Sequence, residues 1–251
     1  PARALPTRLW IGPATGREAP ERPLLLMAHG VDGHPEKFEA FATHLAQNGV
    51  VVAAPAFPSS NRDAGRGLLG VADLAEQPTD LRFVLDQLLA SQEDPESPVW
   101  RRFDPEKVAA LGHSLGGATL LGLTRFGEGE PRIRAQAYLS PATLLTGGFG
   151  PGPTPVGPPT LLMHGQQDGT LPIAYSEELY AELADPRWFL GIADAGHSDP
   201  VEDASEPPLA SREAAQDATL ALLATAFDEE RPDDLPDALA ELARQGHVVL
   251  P

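Results

Sequence analysis

The segment GHSLGG at residues 112–117 follows an apolar run at residues 107–111 and opens a helical pattern over residues 115–124. It fits Gly-x-Ser-x-Gly, which alone is a weak signal. A strand before it and a helix after it are the setting of a nucleophile elbow, a tight turn that lifts a serine hydroxyl above a sheet edge. Glycines two positions before and after the serine leave room for that turn. We therefore predict that Ser114 is a nucleophile.

The rest of the chain alternates in the same way between short apolar runs and longer amphipathic stretches. The runs are typical of buried strands and lie at residues 7–11, 23–28, 49–54, 134–139, 159–164 and 187–192. The helical patterns lie at residues 36–48, 79–90, 173–183, 207–227 and 235–244, with Thr79 as an expected N-cap. This alternation predicts an α/β fold, a mostly parallel sheet with helices on both faces. Right-handed crossovers should place every strand's carboxyl end along one edge.

The predicted elements occupy most of the 251 residues, so we expect one domain over residues 1–251 without a large helical lid. The segment from about residue 230 is predicted as a helix and a tail without an assigned role. No stretch of eighteen apolar residues occurs, which excludes a membrane-spanning helix. A monomer is favoured.

Charge and cysteine content exclude several classes of function. Lys and Arg number 18 against 36 Asp and Glu, a net charge of −18, so nucleic acid is not an expected partner. The absence of cysteine excludes disulfides, thiolate metal sites and a cysteine nucleophile. No His-Glu-x-x-His motif is present, and no metal is expected. The acidity fits a secreted, salt-exposed protein better than a cytoplasmic one, although the compartment stays open.

A serine nucleophile needs a base within hydrogen-bond reach. Three histidines follow Ser114 in the chain. His197 lies in the short loop AGHS after the run at 187–192, at the predicted edge, and we predict that it is the base. His164 ends a predicted strand and is interpreted as structural. His247 lies in the tail, far from any predicted strand edge.

The base in turn needs a carboxylate that fixes its tautomer. In HGQQDG at residues 164–169, Asp168 comes four residues after a predicted strand end. Asp194, Asp199 and Asp203 are rivals, but they share the loop of His197 or follow it. A carboxylate from a separate loop orients an imidazole better, so Asp168 is the predicted acid.

The segment AHGVDG at residues 28–33 follows an earlier strand and predicts an oxyanion hole. Two backbone N–H donors aimed at a developing oxyanion lower the barrier by several kcal/mol. We assign them to Val31 and Leu115. His29 is expected to support the loop, and Asp32 to be solvated or hydrogen-bonded within it. Aromatic residues that could line the site or simply pack in the core are Phe57, Phe149 and Trp188.

Together these motifs resemble the α/β-hydrolases over about residues 5–200. The segments VVVAAP at 50–55 and PTDLRFVLD at 78–86 narrow the resemblance. With these segments the chain is similar to the serine esterases grouped with dienelactone hydrolases, platelet-activating-factor acetylhydrolases and bacterial cutinase-like polyesterases. The resemblance implies a Ser-His-Asp carboxylic ester hydrolase without a metal or organic cofactor. Dienelactone hydrolases carry cysteine at the elbow, so Ser114 argues against that activity, as it does against epoxide hydrolases and haloalkane dehalogenases, which carry aspartate.

The predicted substrate is a small or polymeric ester, with short-chain or bulky esters favoured by an open site. Three alternatives remain. The same triad could serve a lipase, or an acyltransferase, perhydrolase or peptidase with a different acyl acceptor. The fold could also carry a non-catalytic binding protein.

Overall fold

A computed structural model describes residues 3–13, 22–149, 156–202 and 209–250. Within these ranges eight strands form one sheet in the order β1-β3-β2-β4-β5-β6-β7-β8. The strands are β1 Thr7–Ile11, β2 Leu24–Ala28, β3 Val51–Pro55, β4 Val108–His113, β5 Ile133–Leu139, β6 Thr160–Gly165, β7 Arg187–Ile192 and β8 Val248–Leu250. Strands β2 to β7 run parallel, whereas β1 and β8 pair antiparallel at the two edges.

Six α-helices occur in the described ranges: α1 Glu39–Gln47, α2 Gln77–Ser91, α3 Leu115–Thr124, α4 Ala174–Glu182, α5 Leu209–Phe227 and α6 Asp234–Arg244. Tighter 3₁₀ segments lie at Pro35–Phe38, Arg62–Ala64, Gly67–Glu76 and Thr143–Gly148. Each of these helices is too short or too polar to cross a lipid bilayer.

The core consists of two apolar layers, one on each face of the sheet. In β3, Val52 and Ala54 point to the layer that α1, α5 and α6 cover, whereas Val51 and Ala53 point to the layer under α2, α3 and α4. This is the two-residue period of a strand with both faces covered. The fold is therefore the predicted α/β architecture, with a mostly parallel sheet between two helical layers.

Three details of the predicted elements are wrong. The helix expected at 36–48 divides into the 3₁₀ segment Pro35–Phe38 and α1. Helix α2 begins before Thr79, which lies in its first turn and is not the cap, because Pro78 presets the helical φ in the first turn. Strand β1 is antiparallel, so its carboxyl end lies at the opposite edge from those of β2 to β7.

The C-terminal segment belongs to the sheet. Strand β8 pairs with β7, with Val248 opposite Gly191 and Leu250 opposite Phe189. His247 Nδ1 accepts a hydrogen bond of 3.0 Å from the Ala193 N–H, just past the end of β7. The prediction that His247 lies far from any strand edge is therefore wrong. Three residues are too few for an alternating pattern to reveal a strand.

Candidate active site

Ser114 stands at the turn between β4 and α3. Its backbone angles are φ 55° and ψ −120°, a region that costs a residue with a side chain about 1–3 kcal/mol. The Ser114 N–H donates to Leu139 O at 3.1 Å, and Ser114 O accepts from Gly117 and Ala142, each at 2.9 Å. Between residues 108 and 121, Ser114 alone is not buried. The turn thus leaves the serine partly exposed among buried neighbours.

Close backbone packing holds this turn. A Cβ atom on Gly112 would lie 2.3 Å from Gly116 O, and a Cβ on Gly116 would lie 2.1 Å from Ala28 O at the end of β2. A Cβ on Gly30 would lie 2.9 Å from the Cβ of Ser114. The elbow and the loop after β2 therefore touch, and Gly116, which was expected to leave room for the turn, leaves room for the end of β2.

Asp168 and His197 meet across the ends of two adjacent strands. The His197 Nδ1 lies 2.7 Å from the Asp168 Oδ2. Parallel pairing of β6 with β7 brings the following loops side by side. The Asp168 side chain is 1% exposed, and its Oδ1 accepts N–H bonds from Thr170 and Leu171, each 2.8 Å long.

The electrostatic environment keeps Asp168 ionised. Burial alone would raise the pKa of this carboxyl. Hydrogen bonds from His164, from His197 and from the Leu171 N–H outweigh burial, so the pKa of Asp168 is held well below its usual range. An anionic Asp168 can orient the imidazole of His197 and stabilise its protonated form.

His197 lies beside the elbow. Its ring packs against that of His113 with 4.8 Å between centroids. The His113 Nε2 lies 3.0 Å from His197 O, and this contact ties the loop after β7 to the residue preceding Ser114. Burial lowers the pKa of His113 to about 4, so its ring is neutral at pH 7. The Asp199 carboxylate accepts the Gly196 N–H at 2.8 Å and fixes the same loop from its other end.

Both predicted oxyanion donors are neighbours of Ser114: Leu115 follows it in the chain, and Val31 follows Gly30, where a Cβ would lie 2.9 Å from the Ser114 Cβ. Leu115 is the first residue of α3, where a helix leaves its N–H groups without intrahelical acceptors. In the part of the chain that the structure describes, no hydrogen bond engages the Val31 N–H. His29 supports the loop as expected. Its Nδ1 lies 2.8 Å from Gly30 O, and its Nε2 accepts the Phe57 N–H at 3.0 Å.

The rival carboxylates have other partners. Asp194 accepts from Gln167 at 2.9 Å, and Asp199 holds the Gly196 N–H. Asp203 lies outside the described residues. Side chains of His, Asp and Glu do not gather in groups of three able to hold a metal ion anywhere in the ranges that the structure describes.

Of the three aromatic residues that could line the site or pack in the core, two pack in the core. Phe57 is buried with its ring 5.0 Å from that of His29, and Trp188 packs on the core layer under α5. Phe149 packs on Phe126 and also borders an apolar cluster that contains Leu115.

That cluster, here called the apolar wall, is a feature that sequence reasoning missed. Its buried members are Leu74, Leu115, Ala118 and Ala142, and its partly exposed members are Val31, Val71, Leu145, Phe149 and Leu171. Two of the segments that supply it, Gly67–Glu76 and Thr143–Gly148, are 3₁₀ helices, whose apolar residues follow neither the helical nor the strand period. The wall includes both residues assigned to the oxyanion hole.

Comparison with known proteins identifies a family. Residues 25–250 match the family model described as Alpha/beta hydrolase family. No curated protein matches the chain. The matched region contains the elbow, the Asp168 turn and the His197 loop. It also extends through α6 and β8, beyond the resemblance at residues 5–200 that the motifs carry.

Proposed function

Because the chain belongs to the alpha/beta hydrolase family, we propose that it is a serine carboxylic ester hydrolase. Ser114 is the nucleophile, His197 the base and Asp168 the orienting acid. The 2.7 Å contact between His197 and Asp168, beside a partly exposed serine at an elbow, is the observation that carries the proposal. The family's members are generally hydrolytic, and the ester as substrate is our inference from the motifs and the apolar wall.

The reaction runs in two halves. His197 takes the Ser114 proton as the hydroxyl oxygen attacks the ester carbonyl, and Asp168 stabilises the imidazolium. The tetrahedral intermediate collapses, His197 gives its proton to the leaving alcohol, and an acyl-Ser114 ester remains. Water then attacks this ester with His197 again as base, which releases the acid and restores the serine.

The N–H groups of Val31 and Leu115 stabilise the negative charge that develops on the carbonyl oxygen. Backbone donors held in place before the reaction need no reorganisation as the charge forms. The hydrogen bonds of His29 to Gly30 and Phe57 fix the loop that carries Val31. The amino terminus of α3 adds a favourable dipole for the same negative charge.

The surroundings of Ser114 favour an apolar acyl group in an open site. Val31, Val71 and Leu145 present partly exposed apolar surface in the wall. The same 3₁₀ segments carry Leu68 and Leu144, which are 80% and 55% exposed. An open apolar surface suits short-chain or bulky esters, and our proposal extends to polyesters of the cutinase-like kind.

Release of p-nitrophenol from p-nitrophenyl acetate, butyrate, octanoate and palmitate tests the proposal. We expect turnover by the parent, with the highest rate on the shorter chains, and a loss of about 10⁴-fold or more in Ser114→Ala. Ser91→Ala, at the end of α2, is the matched control and should keep the parent rate. An inert parent, or a Ser114→Ala variant as active as the parent, would overturn the esterase proposal. An added alcohol or peroxide that outcompetes water would instead indicate an acyltransferase or perhydrolase.

A further inference from the structure

A second histidine reaches the acid of the proposed triad. His164 ends β6 and is fully buried. Its Nε2 lies 3.2 Å from Asp168 Oδ2, the same oxygen that lies 2.7 Å from the His197 Nδ1. Two imidazoles therefore converge on one carboxylate oxygen, one from the buried side and one from the side of Ser114.

The contacts of His164 define its tautomer. The Nε2 faces two acceptors, Leu171 O at 2.9 Å and Asp168 Oδ2 at 3.2 Å. A neutral imidazole has one N–H donor and one acceptor nitrogen, so the proton is on Nε2. The Nδ1 then accepts from the Ser176 hydroxyl of α4, 2.8 Å away. Ser176 is also fully buried, so water does not compete for this contact.

We propose that His164 is a positioning residue. It holds Asp168 Oδ2 in place, and by sharing the negative charge of this oxygen it weakens the attraction between Asp168 and His197. This inference rests on the proposed function, since it assigns His197 the role of base. A donor on the far side of a carboxylate weakens its attraction for an imidazolium on the near side. His164 thereby weakens the stabilisation that Asp168 gives to the imidazolium of His197, and without His164 the acidic limb of the pH–rate profile should lie at higher pH.

Other titratable groups around the pair make their contacts with residues other than His164. They face His197 or its loop rather than His164, and on α4 the facing group is the hydroxyl of Ser176. The His113 ring packs against the His197 ring, Glu202 lies 3.6 Å from His113, and Lys37 lies 3.4 Å from Glu202. Asp199 accepts a hydrogen bond from the Gly196 N–H, and Asp194 accepts one from the Gln167 amide. A change at His164 therefore alters its contacts with Asp168, Leu171 O and the Ser176 hydroxyl and leaves the contacts of these other groups unchanged.

The test is the pH dependence of kcat/KM on p-nitrophenyl butyrate. His164→Met fills a similar volume without a donor, and we expect the acidic limb of the profile to move up by about one pH unit. His164→Gln places an amide N–H near the position of Nε2 and should return the limb to that of the parent. Ser176→Ala removes a hydroxyl from the same buried site while leaving the Nε2 donor, so its thermal midpoint should fall but its limb should not move.

Distinct results overturn the inference and the proposed function. A limb that does not move in folded, active His164→Met, or one that moves equally in Ser176→Ala, removes the positioning role while the esterase proposal stands. If His164→Met does not fold, ¹⁵N NMR of the parent decides. A hydrogen-bond scalar coupling between the His164 Nε2–H and the Asp168 carboxyl carbon supports the inference, and an unprotonated Nε2, or an Nε2–H coupled to the Leu171 carbonyl alone, overturns it. An inactive parent contradicts the proposed function, and the NMR result then still tests the predicted contact with Asp168.

Discussion

Substituting Gly30 with alanine probes the contact between the elbow and the loop after β2, which carries the proposed oxyanion donor Val31. The new Cβ would lie 2.9 Å from the Cβ of Ser114 and 3.2 Å from its Oγ. The backbone of Gly30 does not occupy the positive-φ region, so alanine adds no backbone strain there. The perturbation therefore acts through the side chain of Ser114.

The size of the effect follows from these distances. Carbon atoms in ordinary contact are separated by about 3.5–4.0 Å. Relief of the 2.9 Å approach therefore requires the two Cβ atoms to separate by about 0.6–1.1 Å. A displacement of about 1 Å in a reacting group can lower a rate about 10²-fold. Overpacking of this kind costs about 1–3 kcal/mol of folding stability, which leaves most proteins folded.

Steady-state kinetics on p-nitrophenyl butyrate, with thermal unfolding recorded beside them, measure both effects. We expect Gly30→Ala to be folded and to have a kcat about 10²-fold lower than the parent. Gly147→Ala is the control, because a Cβ at that position meets nothing within 4 Å. A folded Gly30→Ala variant with a kcat within threefold of the parent would refute the contact-based reasoning.

Three other perturbations test separate parts of the structure. Asp168→Asn should lower kcat about 10⁴-fold with an unchanged circular dichroism spectrum, because the amide favours the wrong imidazole tautomer; a loss below tenfold would remove Asp168 from the triad. Hydrogen bonds from Arg132 and Arg82 lower the pKa of Glu130 from 4.5 to about 2, so its stabilisation is complete above about pH 4.5 and is lost as pH falls toward 2. Glu130→Gln should therefore lose less stability than the parent across that window in urea unfolding, and equal losses would contradict this assignment. Burial lowers the pKa of His113 from 6.5 to about 4. Between these two pH values the unfolded chain binds more protons than the folded one, so the free energy of unfolding decreases as the pH is lowered. His113→Gln should show a shallower decline between pH 6.5 and 4, and an unchanged slope would argue against a buried neutral ring.

Local sterics and strand order explain why much of the arrangement is predictable. Gly112 is a constraint of the turn itself, because a Cβ there would meet Gly116 O, whereas Gly116 leaves room for Ala28 at the end of β2. The spacing in GHSLGG, after a strand and before a helix, nevertheless indicates an elbow from the sequence. Asp168 and His197 are separated by 28 residues, yet both follow strand ends. Because β6 and β7 are parallel neighbours, the loops that follow them meet. The order of the motifs thus predicts that Asp168 and His197 meet, although it does not predict the distance between them.

The features that sequence reasoning missed depend on tertiary contacts without a local pattern. Strand β8 has three residues, and only its pairing with the outer edge of β7 identifies it. His164 reaches Asp168 because the turn at 165–171 folds back over the end of β6. Leu171 and Val71 enter the apolar wall from segments with no regular period, and no sequence window marks them as neighbours of Leu115.

Covalent labelling of the serine tests the central claim most directly. A fluorophosphonate reacts much faster with a serine that an adjacent base activates than with other side chains, so it reports the proposed nucleophile without reference to any ester substrate. We expect intact-mass measurement to show one added phosphonate per chain, and peptide mapping to place it on Ser114. His197→Ala should abolish the label. An unlabelled parent, or a label on another residue, would contradict Ser114 as the nucleophile.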